Sequence, residues 1–280
     1  MKSFEYIKKM QEKLNNKNLD SYSVIWALNE LNPKYTYDNI EIDEETKMKL
    51  DCIMNTYLDT YLAVQYQFGY SYFYSRRFKV NKNTLIPRFD TEEVVERAIY
   101  EAKLLNTPLK ICDIGCGSGV IGITMLLEVK DSNMTFIDID KLALEVTKEN
   151  IKTYNLENRS NVINNDILNN INDKFDMIVS NPPYIDNIDD CGIDVVTHEP
   201  HHALFAPNEG MYFYEQILKS SYKNLNKNGV IVFEIGYNQG DKIIKLAKTI
   251  YPSCDVKVYK DLNGNNRIAV IKEIGIWKCY

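Results

Sequence analysis

The sequence predicts an α/β fold: a seven-stranded, mostly parallel sheet covered by helices on both faces, preceded by a small helical bundle and a β-hairpin. Three observations carry this. From about residue 91 to residue 272, helical and strand-like apolar periods alternate, and that alternation builds parallel sheets with helix-covered faces. Residues 1 to about 70 show the helical period alone. The composition is that of an ordinary globular protein of 280 residues, 45% hydrophobic and 26% charged, with only 12 glycines and 8 prolines. Such a chain is no collagen-like repeat or disordered linker, and at about 100–200 residues per domain it suggests two domains.

In chain order, Ser3 is placed to cap a first helix with Phe4, Ile7, Met10 and Leu14 on its apolar side. A second helix runs from about Ser21 to Leu31 and stops before Asn32-Pro33. A third follows Asp43 and carries Leu50, Ile53, Met54, Tyr57, Leu58, Tyr61 and Leu62. Three short amphipathic helices must bury their stripes on one another, which makes a bundle. Tyr72, Tyr74, Phe78 and Val80 then change to a strand period and predict a hairpin. Beyond it, the patterns give helix Glu92–Leu105, strand Leu109–Ile114, helix Val120–Val129, strand Met134–Asp138 and helix Lys141–Tyr154. Strands Asn161–Asn165 and Met177–Ser180, helix Met211–Leu225, strand Gly229–Ile235 and helix Asp241–Tyr251 follow. Strands Val256–Lys260 and Arg267–Lys272 close the pattern, adjacent in sequence and therefore an antiparallel edge pair. The domains expected are 1–71 (helical), 72–86 (hairpin) and 87–280 (sheet).

Charge and cysteine usage narrow the function classes. Lys and Arg total 33 against 39 Asp and Glu, so the net charge is −6 and the basic footprint of a duplex-binding protein is missing. Six scattered cysteines, with no C-x-x-C pair, suit reduced thiols in the cytosol. The opening MKSFEYIKKMQEKLNNK carries charges where a secretory leader needs an apolar run, and no stretch reaches the roughly 18 apolar residues of a membrane span. The expectation is a soluble, cytoplasmic protein without membrane attachment.

Two motifs carry chemistry. Asp113-Ile-Gly-Cys-Gly-Ser-Gly119 lies between a strand and a helix; Gly115, Gly117 and Gly119 permit positive φ and close approach of backbone to a ligand. Asp138 closes the next strand, 19 residues on, where a carboxylate can accept both hydroxyls of a ribose. Gly117-Ser-Gly-Val-Ile-Gly122 also satisfies the dinucleotide pattern G-x-G-x-x-G, so NAD stays an alternative on this motif alone. The acid at Asp113 disfavours a pyrophosphate and suits a ligand that is cationic there, as S-adenosylmethionine is.

The second motif, Ser180-Asn-Pro-Pro-Tyr184, follows a strand at the carboxyl edge of the sheet. Its two prolines fix φ and remove two N–H donors, which stiffens the corner and leaves its carbonyls as acceptors. The side-chain oxygen of Asn181 and the carbonyl of Pro182 can take the two hydrogens of an NH2 group, and Tyr184 offers a flat face. These features point to methyl transfer onto an amide or amino nitrogen. His198-Glu-Pro-His-His202 invites a metal reading, but Pro200 interrupts helical spacing and the chain has no further histidine, so no metal is expected.

From about Gln65 onward the chain resembles the HemK/PrmC family of class I, Rossmann-like methyltransferases, which modify the glutamine of the Gly-Gly-Gln motif in class 1 peptide chain release factors. The resemblance rests on Leu85-Ile-Pro-Arg-Phe-Asp-Thr-Glu92, Asp113–Gly119, Asn181–Tyr184, Glu199-Pro200, Phe233-Glu-Ile-Gly-Tyr-Asn-Gln-Gly240 and Lys260-Asp-Leu. It implies that Asp113, Gly115, Cys116, Gly117, Ser118 and Gly119 bind the methionine part of S-adenosylmethionine. Asp138 would hold the ribose, Asp166 and Ile167 would sit by the adenine, and Asn181 would touch both cofactor and substrate. Asn181, Pro182 and Tyr184 would be catalytic, with Pro183 completing the segment that receives the glutamine amide. The helical domain would recognise a release factor as protein partner, with no stable nucleic-acid complex. Phe89 stands where the family usually has proline, and Ala206-Pro-Asn-Glu-Gly210 replaces a more glycine-rich stretch; both bear on substrate loops. A ribosomal-protein glutamine or the amino group of a nucleic-acid base is the alternative acceptor.

Overall fold

Five helices open the chain: α1 (Ser3–Asn15), α2 (Ser23–Leu31), α3 (Lys34–Tyr37), α4 (Glu44–Thr60) and α5 (Val64–Phe68). The computed structural model describes residues 1–105 and 108–272. The α4 helix starts where expected because Asp43 accepts from the Thr46 N–H at 2.8 Å, and Glu44 and Glu45 face the positive end of its dipole. In α1 the expected cap is displaced. Lys2 holds that position, while Ser3 is the first helical residue and its Oγ donates to the Asp38 carbonyl at 2.8 Å. The buried row of α1 is Tyr6, Met10 and Leu14, and Phe4 lies 44% exposed. Tyr6 displaces Phe4 because its hydroxyl finds an acceptor, Asp51 Oδ1 at 2.7 Å, so the ring is buried without an orphaned polar group. Leu28, Leu50, Met54 and Tyr57 complete this core.

The hairpin pairs β1 (Tyr70–Phe73) with β2 (Arg76–Lys79). Its two turn residues, Tyr74 and Ser75, have φ of 52° and 58°, the primed geometry whose twist matches the strands. The sheet region follows with α6 (Phe89–Lys103), β3 (Lys110–Ile114), α7 (Val120–Glu128), β4 (Asn133–Asp138) and α8 (Lys141–Thr153). Then come β5 (Ser160–Asn164), β6 (Phe175–Ser180), α9 (Ile193–His198), α10 (Tyr212–Asn224), β7 (Leu225–Glu234), α11 (Gly240–Ile250), β8 (Asp255–Lys260) and β9 (Asn266–Lys272). The seven strands lie in the order β5-β4-β3-β6-β7-β9-β8, parallel except that β9 runs antiparallel to β7 and β8. Alternation along β7 shows both faces buried: Val230 and Val232 join the core with α6, α7 and α8, while Ile231 and Phe233 join the core with α10 and α11.

The described contacts divide the chain into two units, Met1–Tyr70 with Asn187–Glu199, and Ser71–Asp186 with the chain from Pro200 onward. The expected uninterrupted domain 87–280 is therefore broken at 187–199, a segment that counts with the helical unit. The reason is side-chain partnership across the sequence. Tyr57 Oη donates to Asp194 Oδ2 at 2.8 Å, and His198 Nε2 lies 2.5 Å from the Thr60 carbonyl oxygen. Cys52, Cys112, Cys116 and Cys254 are free thiols, and Cys279 lies outside the described residues. Among the described residues no helix is long and apolar enough to cross a membrane.

Candidate active site

The site grows from two neighbouring strands of the sheet unit. In register, Ile114 at the end of β3 pairs with Ser180 at the end of β6, and Ser180 Oγ donates to the Ile114 carbonyl at 2.7 Å. The sheet order reverses here, since the chain runs outward from β3 to β4 and β5 and returns through β6. Open α/β sheets bind ligands in the crevice at such a switch point. Both chemical motifs leave the sheet at this edge.

After β3, Gly115, Gly117 and Gly119 have φ of 69°, 55° and 82°. A Cβ built on Gly115 or Gly117 meets no atom within 4 Å, so both residues border open space. That space is a cavity of about 240 Å³ bounded by Gly115, Cys116, Gly117, Ser118 and Asp138, by Asp166 and Ile167, and by Asn181, Pro182 and Pro183. Bare backbone on one side and a carboxylate at the end of β4 suit a ligand with a ribose, as S-adenosylmethionine has. Asp138 is already oriented. Its Oδ2 accepts from the Gly117 N–H at 2.8 Å and its Oδ1 from the Asp140 N–H at 2.9 Å, leaving each oxygen a further lone pair. Burial raises its pKa, against the two backbone donors.

Three of the expected site residues stand away from the cavity wall. Asp113 is fully buried beneath the loop, where Oδ2 accepts from the Gly122 N–H at 2.9 Å. Gly122 is the third residue of α7, so this carboxylate does the work of an N-cap from the preceding strand. Its Oδ1 has no partner, and burial pushes the group up to about 7. Gly119 ends the loop as the left-handed N-cap of α7, where a Cβ would lie 3.0 Å from Thr147 Cγ2. Tyr184 turns its hydroxyl to Glu234 Oε1 at 3.3 Å, and its carbonyl accepts from Gln239 Nε2 at 3.1 Å. Burial raises its pKa strongly. The ring is thus held from both ends by β7 and the turn that follows it.

Asn181 and Pro182 bound the cavity side by side. Asn181 Nδ2 lies 3.5 Å from Thr91 Oγ1, and neither Asn181 Oδ1 nor the Pro182 carbonyl accepts from any described residue. Thr84, Pro87 and Arg88 from the segment before α6, and Thr91 in the first turn of α6, also bound the cavity. Pro87, Arg88 and Thr91 are visible in the sequence only through the family resemblance, because a non-repeating Pro-Arg-Phe-Asp-Thr string shows no period, and Thr84 precedes that string. His202 bounds the cavity too, with Nε2 3.5 Å from Asp140 Oδ2, whereas His198 belongs to the helical unit. Among the described residues no cluster of three or more His, Cys, Asp or Glu could hold a metal ion.

Comparison with known proteins agrees with this geometry. Residues 99–202 match the family described as methyltransferase small domain. The chain is 38% identical over 242 residues to a release factor glutamine methyltransferase of Clostridium botulinum, covering 85% of this chain and 83% of that one. It is 35% identical over 259 residues to a protein of the same name from Streptococcus pneumoniae, covering 92% and 88%. The fold resembles a ribosomal protein L11 methylase from Lactobacillus delbrueckii subsp. bulgaricus (TM-score 0.53, 17% identity, 70% of this chain and 84% of that one). It likewise resembles a methyltransferase from Pyrococcus furiosus (TM-score 0.52, 18% identity, 82% and 100%). With two neighbouring strand ends carrying a glycine cradle and an Asn-Pro-Pro-Tyr corner, and relatives of this identity over most of its length, the chain belongs to the release factor glutamine methyltransferase family, enzymes that use S-adenosylmethionine.

Proposed function

We propose that this protein transfers a methyl group from S-adenosylmethionine to the side-chain amide nitrogen of the glutamine in the Gly-Gly-Gln motif of class 1 peptide chain release factors, in the cytoplasm. The observation that carries the reading is the pair of uncommitted acceptors, Asn181 Oδ1 and the Pro182 carbonyl, on a stiff corner beside the glycine cradle. The cofactor supplies an electrophilic methyl on a sulfonium when bound. Gly115, Gly117 and Ser118 would hold it through backbone, and Asp138 through its free lone pairs.

The protein's share of the chemistry follows from the acceptor nitrogen. An amide nitrogen is a poor nucleophile because its lone pair is delocalised into the carbonyl. Two acceptors gripping both N–H bonds orient the nitrogen and favour pyramidal geometry as it attacks. They interact more strongly as positive charge grows on that nitrogen, so they stabilise the transition state more than the ground state. Alignment, not proton abstraction, is the main contribution, and the proton leaves after transfer. The helical unit, to which Asn187–Glu199 just beyond the corner also belongs, is our candidate for recognition of the release factor.

The test is incubation of the protein with purified release factor and methyl-labelled cofactor. Label confined to the peptide that carries the glutamine supports the proposal, and label that persists after that glutamine is changed to alanine refutes it.

A further inference from the structure

Amide oxygen and amide nitrogen have nearly the same shape, so something must decide which one Asn181 turns toward the substrate. With the wrong choice the side chain would present two donors to an NH2 group that is itself a donor. We propose that Glu234 and Thr91 make this choice: they are positioning residues that fix the direction of a hydrogen-bond chain ending on Asn181. The inference rests on the methyl-transfer reading above.

With Glu234 ionised, the chain has a single consistent direction; burial raises the pKa of this carboxyl, against the hydrogen bonds from Thr91 and Tyr184 and the nearby Arg267 charge. Glu234 closes β7 and is 2% exposed, an acceptor-only group when ionised. Its Oε2 receives the one proton of Thr91 Oγ1 at 2.7 Å. With that proton committed, Thr91 Oγ1 can only accept, so the Asn181 atom that faces it at 3.5 Å must be Nδ2. Oδ1 is thereby directed away from Thr91, to where it can accept. The other carboxylate oxygen receives the second side chain of the corner. Arg267 Nη1 lies 3.5 Å from Tyr184 Oη, which donates to Glu234 Oε1 at 3.3 Å. Asn181 and Tyr184 therefore end on the two oxygens of one buried carboxylate. Arg267 is also paired with Asp90 Oδ2 at 2.9 Å and Asp261 Oδ2 at 3.3 Å, so it has charged partners besides Glu234.

The isosteric change Glu234→Gln reverses the chain. Tyr184, receiving from Arg267, keeps its proton pointed at position 234 and requires an oxygen there. The amide nitrogen of the new side chain then faces Thr91 and donates to it. The Thr91 proton is released toward Asn181, which turns its oxygen to Thr91 and its NH2 to the substrate. Thr91→Val removes the link altogether while keeping the side-chain shape, whereas Thr91→Ser keeps the hydroxyl and loses only the methyl.

The experiment measures kcat, KM for the release factor, cofactor affinity and melting temperature for the wild type, the three single variants and the Thr91→Val/Glu234→Gln double variant. The expected result is a roughly 10- to 100-fold lower kcat for Glu234→Gln and for Thr91→Val, with cofactor affinity within about twofold of wild type. Thr91→Ser should stay within about threefold of wild type, so that activity follows the hydroxyl and not the methyl. The double variant should be no worse than the more impaired single variant, because both act through one chain. Glu234→Gln at wild-type kcat, Thr91→Ser as impaired as Thr91→Val, or full additivity in the double variant would each overturn the proposal. If Thr91→Val does not fold, Glu234→Gln and Thr91→Ser decide. A wild-type protein that leaves the release factor unmethylated rejects the functional reading itself, a separate result from wild-type activity that these substitutions do not touch.

Discussion

Replacing Gly117 by alanine separates ligand binding from folding, and its two consequences can be sized from the structure. Gly117 has φ of 55°, and a Cβ there meets no protein atom within 4 Å. The folded protein therefore bears only the left-handed backbone penalty, about 1–2 kcal/mol for an L-residue. At about 2–4 °C per kcal/mol for a unit of this size, the melting temperature should fall by only a few degrees. The methyl group, however, stands in the cavity where the cofactor is held. Crowding by one carbon is worth about 1–3 kcal/mol, so the dissociation constant for S-adenosylmethionine should rise roughly 5- to 150-fold. Gly122→Ala is the matched contrast. Its added Cβ would lie 2.4 Å from Phe136 Cε1 and 3.0 Å from Asp113 Oδ2, inside the core. That variant should lose more stability than Gly117→Ala. Calorimetry with S-adenosylmethionine and thermal melting of both variants provide the comparison. Wild-type affinity in Gly117→Ala would show that the glycine loop does not hold the cofactor and would refute the reasoning.

Asn181→Ala should lose most of its turnover while largely keeping cofactor affinity, since it removes an acceptor and leaves the glycine cradle intact; initial rates at saturating cofactor check this, and unchanged turnover contradicts it. For Asp113, burial raises the folded pKa to about 7, above the unfolded carboxylate value of about 3.9. The folded state therefore binds more protons between those values, and the penalty from this group grows as pH rises from about 4 to about 7 and is complete above that. Asp113→Asn can still accept from Gly122, so its stability relative to wild type should rise across that window; denaturant midpoints that change in parallel would contradict it. Tyr57 Oη also accepts from the Asp20 N–H at 3.1 Å, so Tyr57→Phe orphans Asp20 and Asp194 together. It should lose about 1–2 kcal/mol and speed proteolytic cleavage within 187–199; an unchanged cleavage rate there would argue against that attachment.

The order of sheet elements was legible because strands buried on both faces read as short continuous apolar runs, as in Val230-Ile-Val-Phe233, set between helical periods. Ends were less legible. The pairing of Phe175 with Leu225 across an irregularity extends β7 four residues before the expected Gly229, through an Asn-Lys-Asn stretch that no propensity would choose. The cavity-lining glycines, Asp138 and the diproline corner could be read because local backbone chemistry demands those residue types. Asp113 and Tyr184 were visible as motif members, but their contacts were not. Asp113 serves a helix end and Tyr184 a buried acid, and neither partner follows from spacing. Thr91 and Glu234 are 143 residues apart, and Tyr57 and Asp194 are 137 apart. Such pairs leave no periodic trace in one sequence.

The structure of the protein with S-adenosylhomocysteine and a Gly-Gly-Gln peptide tests the central claim most directly. The account predicts the glutamine amide nitrogen within hydrogen-bonding distance of both Asn181 Oδ1 and the Pro182 carbonyl, facing the sulfur. An amide bound elsewhere, or Asn181 offering its NH2 to the peptide, would contradict it.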